Sequence, residues 1–191
     1  MISIIITAYK EPKTIGKAIE SIILQLGKKD EIIVVCPDQE TKKAALRYKK
    51  VKHIKDPGKG KPTALNLAFK RAKGKILVLT DGDVYIFDNA IKEITEQFKD
   101  KKVGAVSGRP ISVNSRSTML GYFSHLLTDI GAHRERYTLN KKDKYIICSG
   151  YLMAIKKGII IKIPKNSLSD DAVISNLIYS KGYKIKYAPE A

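Results

Sequence analysis

The stretch KGKILVLTDGDVYIFD, residues 73–88, joins a short apolar run directly to two closely spaced acids. The run Ile76–Leu79 has the continuous apolar character of a strand that is covered on both faces, as in a parallel sheet. Asp81 and Asp83 follow it at once, with Gly82 between them. Ligands bind beyond the carboxyl ends of the strands in an open parallel sheet, so the two acids are candidates for a binding site.

The same pattern extends through the first 109 residues, where apolar runs alternate with segments of helical spacing. Strands are expected at 2–6, 32–36, 75–80 and 103–108, and helices at 13–26, 63–73 and 89–99. Asp88 is the expected N-cap of the last of these helices. Strands that alternate with helices predict an α/β fold with a Rossmann-like, mostly parallel central sheet flanked by helices.

The second half of the chain, from residue 110, is less regular. Up to residue 144 the expected elements are a loop at 110–117, a helix of about four turns ending near 130, and a polar and mobile segment at 133–144. After it we expect a strand pair or bent strand around Gly150, a helix that opens with two acids at 170 and 171, and a last strand at 183–189. No repeat or low-complexity linker is visible, so residues 1–191 are interpreted as a single domain with an irregular second half.

The net charge of +17 is the dominant feature of the composition. Nine Lys or Arg residues lie within 41–61 against a single acid, Asp56. This charge is compatible with nucleic acid, an anionic membrane surface or a phosphorylated small molecule as a partner. The basic residues are not interleaved with an aromatic platform, which argues against nucleic acid.

Other classes are excluded by simple features of the sequence. The chain contains no run of about 18 apolar residues, the length that could span a bilayer. The N-terminus is interpreted as a first strand rather than a signal peptide. Cys36 and Cys148 lie far apart and lack the spacing of metal ligands. They are expected to be reduced and packed in the interior, as in an intracellular protein.

The two acids at the strand end suggest a divalent metal. In regular strand geometry Asp81 and Asp83 share a face, and such oxygen ligands suit Mg²⁺ or Mn²⁺ completed by substrate phosphates. The loop DPGKGKP at 56–62 has two glycines that allow close backbone approach and two lysines, Lys59 and Lys61, that could meet a diphosphate. An ordinary Asp-Gly turn with two exposed acids is the alternative.

Four segments carry a resemblance that covers nearly the whole chain. They are SIIITAYKEPKTIGKAIESI at 3–22, GKGKPTALNLAFKRAKGKILVLTDGD at 58–83, SGYLMAIKK at 149–157 and SDDAVISNLIYSKGYKIKYAPEA at 169–191. With these four segments in this order along the chain, the sequence resembles the family 2 glycosyltransferases with the GT-A fold.

The resemblance implies a role for each matching residue. Those that would line the nucleotide and the donor sugar are Thr7, Ala8, Tyr9, Glu11, Lys61, Asp81, Ser149 and Gly150. Asp83 would ligate Mn²⁺ or Mg²⁺, with Asp81 close to the ion. Asp171 would be the catalytic base, with Asp170 as the second candidate. The residues alone allow another interpretation of this acid pair, as a favourable interaction with a helix N-terminus.

The activity that the resemblance implies is an inverting transfer from a UDP- or GDP-sugar to an acceptor hydroxyl. The acceptor would be a glycan or a lipid-linked glycan, with a polyprenyl phosphate as the alternative. Residues 1–109 would bind the nucleotide-sugar, and residues 110–191 would hold the acceptor and the base. Both acceptors put the enzyme at a membrane, so we expect a cytoplasmic protein, peripheral or tethered at the membrane through 41–61 or 110–144.

The sequence departs from the family pattern after the second strand. Family members carry an acidic turn that reads the base, whereas this chain has CPDQET at 36–41. Asp38 is displaced by one or two residues and is the remaining candidate for a contact with the base. The sequence also stops soon after its last strand, so we expect a fragment or a minimal catalytic domain.

Overall fold

Seven strands form one mixed sheet in the computed structural model, which describes residues 1–191. The strands are β1 (Ile2–Thr7), β2 (Glu31–Cys36), β3 (Val51–Lys55), β4 (Ile76–Asp81), β5 (Val103–Ser107), β6 (Leu152–Lys156) and β7 (Lys184–Tyr187). Their order in the sheet is β3-β2-β1-β4-β6-β5-β7. Only β6 runs antiparallel to its neighbours, β4 and β5. The predicted mostly parallel α/β sheet is therefore confirmed.

Helices cover both faces of this sheet. The helices of the chain are α1 (Ile15–Ile23), α2 (Gln39–Ala45), α3 (Lys61–Arg71), α4 (Ala90–Glu96), α5 (Met119–Leu126), α6 (Glu135–Lys141) and α7 (Asp170–Tyr179). Those with residues in two clusters of buried side chains include α3 and α7 on one face and α1 and α4 on the other. A 3-10 turn at Gln97–Lys99 extends α4, and a π-helical segment at Leu127–Arg134 joins α5 to α6. None of the helices combines the length and the apolar character needed to cross a bilayer.

The apolar runs seen in the sequence form two hydrophobic clusters, one on each side of the sheet. Successive side chains of a strand point to opposite faces. On β1, Ile5 packs in the cluster that includes α3 and α7, whereas Ile4 and Ile6 pack in the cluster that includes α1 and α4. Every residue of β2 is buried. Burial on both faces explains why these strands read as continuous apolar runs.

The sheet topology brings the ends of β1 and β4 together. These strands are parallel neighbours, although the chain between them passes through β2 and β3 on the other side of β1. Thr7 and Asp81 are register partners at the carboxyl ends of the two strands. Such a reversal of strand order opens a crevice in α/β proteins, and ligands bind there.

Two elements, α2 and β3, lie in a region for which the sequence suggested only a basic surface. In β3, buried Val51 and Ile54 are separated by the exposed Lys52 and followed by the exposed Lys55. It is the edge strand next to β2, and charged side chains are common on such edges. The charge in this segment hides its short strand from a search for apolar runs.

Three local features differ from the expectations drawn from the sequence. Asp88 is not the N-cap of α4, because Asn89 occupies that position in the left-handed region, at φ 66°. The polar segment 133–144, which was expected to be mobile, is mostly helical, and His133 Nδ1 lies 2.8 Å from the Tyr187 hydroxyl. Around Gly150, where a strand pair or a bent strand was expected, the structure has β6 and an isolated antiparallel bridge between residues 149 and 152.

Candidate active site

An ion pair at the ends of β1 and β4 forms the centre of the site. Lys61 Nζ lies 2.7 and 2.8 Å from the two carboxylate oxygens of Asp81. The Thr7 hydroxyl donates a hydrogen bond of 2.7 Å to Asp81 Oδ1. Gly60, at φ 87°, lets the chain turn sharply into α3 and aims Lys61, the first residue of that helix, at β4.

Lys61 also connects this pair to the N-terminus of α7. Its Nζ lies 3.8 Å from Asp170 Oδ2. Burial by itself lowers the pKa of the Lys61 ammonium, but the carboxylates of Asp81, Asp170 and Asp171 together outweigh burial, and the pKa is raised. Lys61 therefore stays charged at neutral pH. Burial raises the pKa of Asp170, while the charge of Lys61 opposes that shift.

Asp171, the next residue of α7, is oriented by hydrogen bonds to both carboxylate oxygens. Oδ2 accepts from the Gly150 N–H at 3.1 Å, and Oδ1 accepts from the Ala172 N–H at 2.8 Å and from the Ser169 hydroxyl. Both acids of the pair lie in the first turn of α7, where negative charge is favourable. The favourable interaction of Asp170 and Asp171 with the helix N-terminus is therefore compatible with a catalytic role for either acid.

The loop that carries Gly150 is fixed to the sheet. The buried Ser149 donates its N–H to the Ser107 hydroxyl of β5 at 2.9 Å. A Cβ atom at Gly150 would lie 3.3 Å from Asp171 Oδ2, so a larger residue would crowd the carboxylate. A line of contacts thus runs from Asp81 through Lys61 to the acids of α7 and on to this loop.

Glu11, in the loop before α1, has an unusual environment. Its Oε2 atom is buried without a hydrogen-bond partner. A Cβ atom at Gly82 would lie 2.1 Å from that oxygen, so only glycine leaves room for it. Burial and the nearby Asp83 and Asp81 carboxylates raise the pKa of Glu11 to about 7. An unpartnered carboxylate oxygen beside the Asp-Gly-Asp turn can accept a cation or a donor group.

Two cavities reach the Asp81-Gly82-Asp83 turn. The first, of about 720 Å³, includes Thr7, Glu11, Asp56, Gly58, Gly60, Lys61 and Asp81 in its lining. The second, of about 530 Å³, includes Asp83, Tyr85, Phe87, Arg109, Ser124, Thr128 and Tyr151 in its lining. Asp81 lines the first and the exposed Asp83 the second. The turn therefore contributes one acid to each cavity.

Residues 3–163 match the family model described as glycosyl transferase family 2. The chain belongs to glycosyl transferase family 2. The predicted family and the predicted enzyme class, a glycosyltransferase, are confirmed.

Curated relatives are about twice as long as this chain. The poly-beta-1,6-N-acetyl-D-glucosamine synthase of Staphylococcus aureus is 28% identical over 203 residues, which cover 100% of this chain and 48% of the synthase. The chain thus spans about half the length of the curated relatives that it matches.

Solved structures share the fold at lower identity. The mannosyltransferase PcManGT from Pyrobaculum calidifontis, solved in complex with GDP-Man and Mn²⁺, has a TM-score of 0.79 and 23% identity over 99% of this chain and 55% of its own. Staphylococcus aureus TarS 1-349, solved in complex with UDP-GlcNAc, has a TM-score of 0.71 and 18% identity over 100% of this chain and 56% of its own. These likenesses confirm the predicted GT-A fold.

The first cavity of this family 2 domain gathers most of the predicted nucleotide residues. Those that line it are Thr7, Ala8, Tyr9, Glu11, Lys61 and Asp81. Tyr9 is 61% exposed, so its ring is available for stacking. The predicted donor-sugar residues Ser149 and Gly150 are not in the lining, and they lie instead beside Asp171.

Asp38, the predicted contact for the base, is not in the lining of that cavity. It is the N-cap of α2, and its two oxygens accept from the N–H groups of Thr41 at 2.9 Å and Lys10 at 3.0 Å. Partial burial acts to raise the pKa of Asp38, but these hydrogen bonds outweigh it and the pKa is lowered.

Asp56 lines the cavity instead and was missed as a site residue. It is only 8% exposed, and its Oδ1 accepts from the Gly58 N–H at 3.2 Å. The sequence did contain a signal for it. Asp56 is the single acid among nine basic residues, and it comes directly before the Gly-Lys loop.

Proposed function

We propose that this domain transfers a sugar from a UDP- or GDP-sugar to an acceptor hydroxyl, with inversion at the anomeric carbon. The observation that carries the proposal is the line of contacts from Thr7 and Asp81 through Lys61 to Asp170, beside Asp171. It joins a nucleotide-sized cavity to a pair of carboxylates. Residues of 1–109 line that cavity and residues of 110–191 supply the pair, which supports the proposed division of labour.

The donor nucleotide would occupy the first cavity. The exposed ring of Tyr9 offers a stacking surface for the base, and Asp56 offers a buried carboxylate that can accept an N–H from uracil or guanine. Lys61 and the glycine-rich loop before it would approach the diphosphate. The relatives solved with GDP-Man and UDP-GlcNAc support a nucleotide-sugar as the donor.

A divalent ion, Mn²⁺ or Mg²⁺, would be held by the acids around Gly82, which do not form a preassembled cluster of three ligands in this structure. Asp83 is exposed, and the unpartnered Oε2 of Glu11 lies against the same turn, so two hard oxygen donors are available. Asp81 would assist from its position next to Lys61. When bound, the ion would neutralise the charge that develops on the leaving diphosphate. The Mn²⁺ in the PcManGT complex supports this assignment.

Asp171 would act as the general base. As the acceptor oxygen bonds to the anomeric carbon, the bond from that carbon to the diphosphate oxygen breaks, and the acceptor proton passes to the Asp171 carboxylate. Attack opposite to the leaving group gives inversion. The hydrogen bonds from Gly150 and Ala172 hold the carboxylate in one orientation. Asp170 is the second candidate, and its contact with Lys61 favours a positioning role.

The acceptor would occupy the second cavity. The exposed rings of Tyr85, Phe87 and Tyr151 in its lining suit the apolar faces of a glycan. A polyprenyl phosphate is the second candidate, favoured by Arg109. Its buried Nε has no hydrogen-bond partner and could donate to a phosphate in this cavity.

A thermal-shift panel tests the donor and the metal together. UDP, GDP, UDP-GlcNAc and GDP-Man are each added with and without Mn²⁺. A nucleotide at 100 times its dissociation constant should stabilise the protein by about 2.7 kcal/mol. We expect a Mn²⁺-dependent shift for at least one nucleotide, which Asp83→Asn reduces and Asp88→Asn, at a nearby exposed position, does not. If no nucleotide gives a Mn²⁺-dependent shift, the proposal is wrong.

A further inference from the structure

The helix formed by α5 and the π-helical segment, Met119–Arg134, exposes a row of large apolar side chains. We call this row the apolar stripe, and its members are Met119, Leu120, Tyr122, Phe123, Leu126, Leu127 and Ile130. Each is between 38% and 78% exposed. Their spacing of three, four and seven residues puts them on one face of the helix. An isolated exposed apolar residue needs no explanation, but a contiguous row marks an interaction surface.

The polar face of this helix contacts the preceding loop, residues 112–118, and lines the second cavity through Ser124 and Thr128. Ser124 Oγ lies 2.6 Å from Ser112 Oγ and accepts from Asn114 Nδ2 at 3.2 Å. His125 Nε2 lies 2.8 Å from the Asn114 carbonyl oxygen. Gly121 is buried so closely that a Cβ atom there would meet the Ser115 carbonyl oxygen at 1.9 Å.

This orientation is the reverse of the usual one. A surface helix of a globular protein buries its apolar face and hydrates its polar face. Here hydrogen bonds to Ser112 and Asn114 hold the polar face toward the preceding loop and the second cavity, so the stripe cannot turn that way without breaking them. The apolar face is therefore free to meet a surface outside the domain.

The charges around the stripe indicate what that surface is. Residues 109–144 contain seven Lys or Arg and three Asp or Glu. Exposed basic residues lie before the stripe, at Arg116, and after it, at Arg134, Lys141, Lys142 and Lys144. A row of apolar side chains flanked by cations suits an anionic lipid surface, where the apolar groups enter the acyl boundary and the cations meet headgroups.

We propose that Met119–Arg134 is an interfacial helix that lies in the plane of an anionic bilayer and inserts the apolar stripe. The basic segment 41–61 is a weaker candidate, because Leu46 is its only exposed large apolar residue. A second copy of the chain is also disfavoured, since two chains of net charge +17 would bring like charges together. The proposal concerns where the domain lies and does not depend on the donor, the metal or the base.

The absence of tryptophan from the chain gives a direct test. Leu120→Trp and Leu127→Trp each introduce a single reporter in the stripe. Leu24→Trp introduces one at a position that is 91% exposed outside it. On vesicles with about one third phosphatidylglycerol in phosphatidylcholine, we expect a blue shift of emission from the two stripe reporters and none from the control. The shift should weaken on pure phosphatidylcholine and at high salt.

A sedimentation assay with the same vesicles measures the contribution of the stripe. Leu120→Gln/Leu127→Gln should lower the partition coefficient by at least about tenfold, because two inserted leucines are lost. The matched control Leu24→Gln/Leu168→Gln changes two leucines that are at least 91% exposed, and it should sediment like the wild type. Both variants should keep the thermal midpoint, since all four positions are exposed.

Two results would overturn the proposal. One is equal vesicle binding by the wild type and the stripe variant. The other is a wild-type dimer, measured by light scattering, that the stripe variant converts to a monomer while vesicles bind neither protein. That second result would assign the stripe to contacts between copies of the chain.

Discussion

Lys61 and Asp81 form an ion pair of 2.7 Å between the first turn of α3 and the end of β4. The pair brings together a lysine from the glycine-rich loop and the first acid of the Asp-Gly-Asp turn. The pair holds the Lys61 ammonium in position before the donor arrives. A bound diphosphate would then compete with Asp81 for the same ammonium.

Replacement of Lys61 should therefore weaken nucleotide binding more than it weakens the fold. We expect Lys61→Met to raise the dissociation constant of the bound nucleotide at least about tenfold, since a charge-assisted hydrogen bond is lost. Its side chain is 32% exposed, so the cost in stability should be about 1 kcal/mol. Calorimetric titration and urea unfolding measure the two effects. Lys59→Met, at the exposed lysine of the same loop, is the control, and equal affinities for the two variants would refute the assignment.

Substitution of the acid pair should separate a base from a positioning residue. In Asp171→Asn the amide oxygen can still accept from the Gly150 N–H, so the loop should be retained. We expect turnover to fall by about 10²–10⁴ while donor affinity is unchanged. Asp170→Asn should have the smaller effect, about tenfold, through its contact with Lys61. Single-turnover kinetics with a saturating donor would show the reverse order if Asp170 were the base.

The two acids near the nucleotide cavity should differ in their effect on base preference. Asp56→Asn removes a buried carboxylate from the cavity, and we expect the affinity for the preferred nucleotide to fall about tenfold. Asp38→Asn keeps a good N-cap for α2 but loses the hydrogen bond from the Lys10 N–H, because an amide has only one acceptor oxygen. It should lower stability by about 1 kcal/mol and leave base preference unchanged. The ratio of UDP to GDP dissociation constants distinguishes the two variants. A change of that ratio only in Asp38→Asn would assign the base contact to Asp38.

Glu11 should make the stability of the domain depend on pH. Its pKa is raised from 4.5 to about 7, so the folded chain holds this proton more tightly than the unfolded chain does. The resulting stability is fully present below pH 4.5 and is lost as the pH rises through about 7. We expect the free energy of unfolding of Glu11→Gln to equal that of the wild type below pH 4.5. Above pH 7 it should exceed the wild-type value by about 1–2 kcal/mol.

Urea unfolding of the metal-free protein across this range of pH measures the effect. Glu40→Gln, which changes an exposed glutamate of α2, should follow the wild-type curve. Wild-type and Glu11→Gln curves that remain parallel would show that Glu11 does not titrate in this range. With Mn²⁺ and nucleotide present, binding should strengthen as the pH rises through about 7, because the ion needs the deprotonated carboxylate.

Elements whose burial pattern is local could be predicted from the sequence. Strands β1, β2 and β4 are buried on both faces and therefore read as apolar runs, whatever surrounds them. Helix α1 buries Ile15, Ala18, Ile19 and Ile22, which follow the helical period. Edge strand β3 was not recognised, because its only two buried residues, Val51 and Ile54, stand among basic side chains in a segment of five positions.

The helix at 119–134 shows the limit of such patterns. Its apolar spacing predicts an amphipathic helix, and the helix is present. The spacing does not determine which face of the helix is turned to solvent, because that depends on the hydrogen bonds of Ser124 with Ser112 and Asn114. The site has a similar limit. Lys61, Asp81 and Asp170 are far apart in the chain, and their ion pairs follow from the order of strands in the sheet rather than from local spacing.

The position of β6 also constrains how the chain can be made. This strand lies between β4 and β5, yet it is synthesised roughly 70 residues after β4, which at about 5–20 residues per second takes several seconds on a ribosome. Throughout that interval the outer edge of β4 has no strand to pair with, and such edges recruit other chains. A nascent chain that stalls before Leu152 should therefore depend on a chaperone to stay out of aggregates.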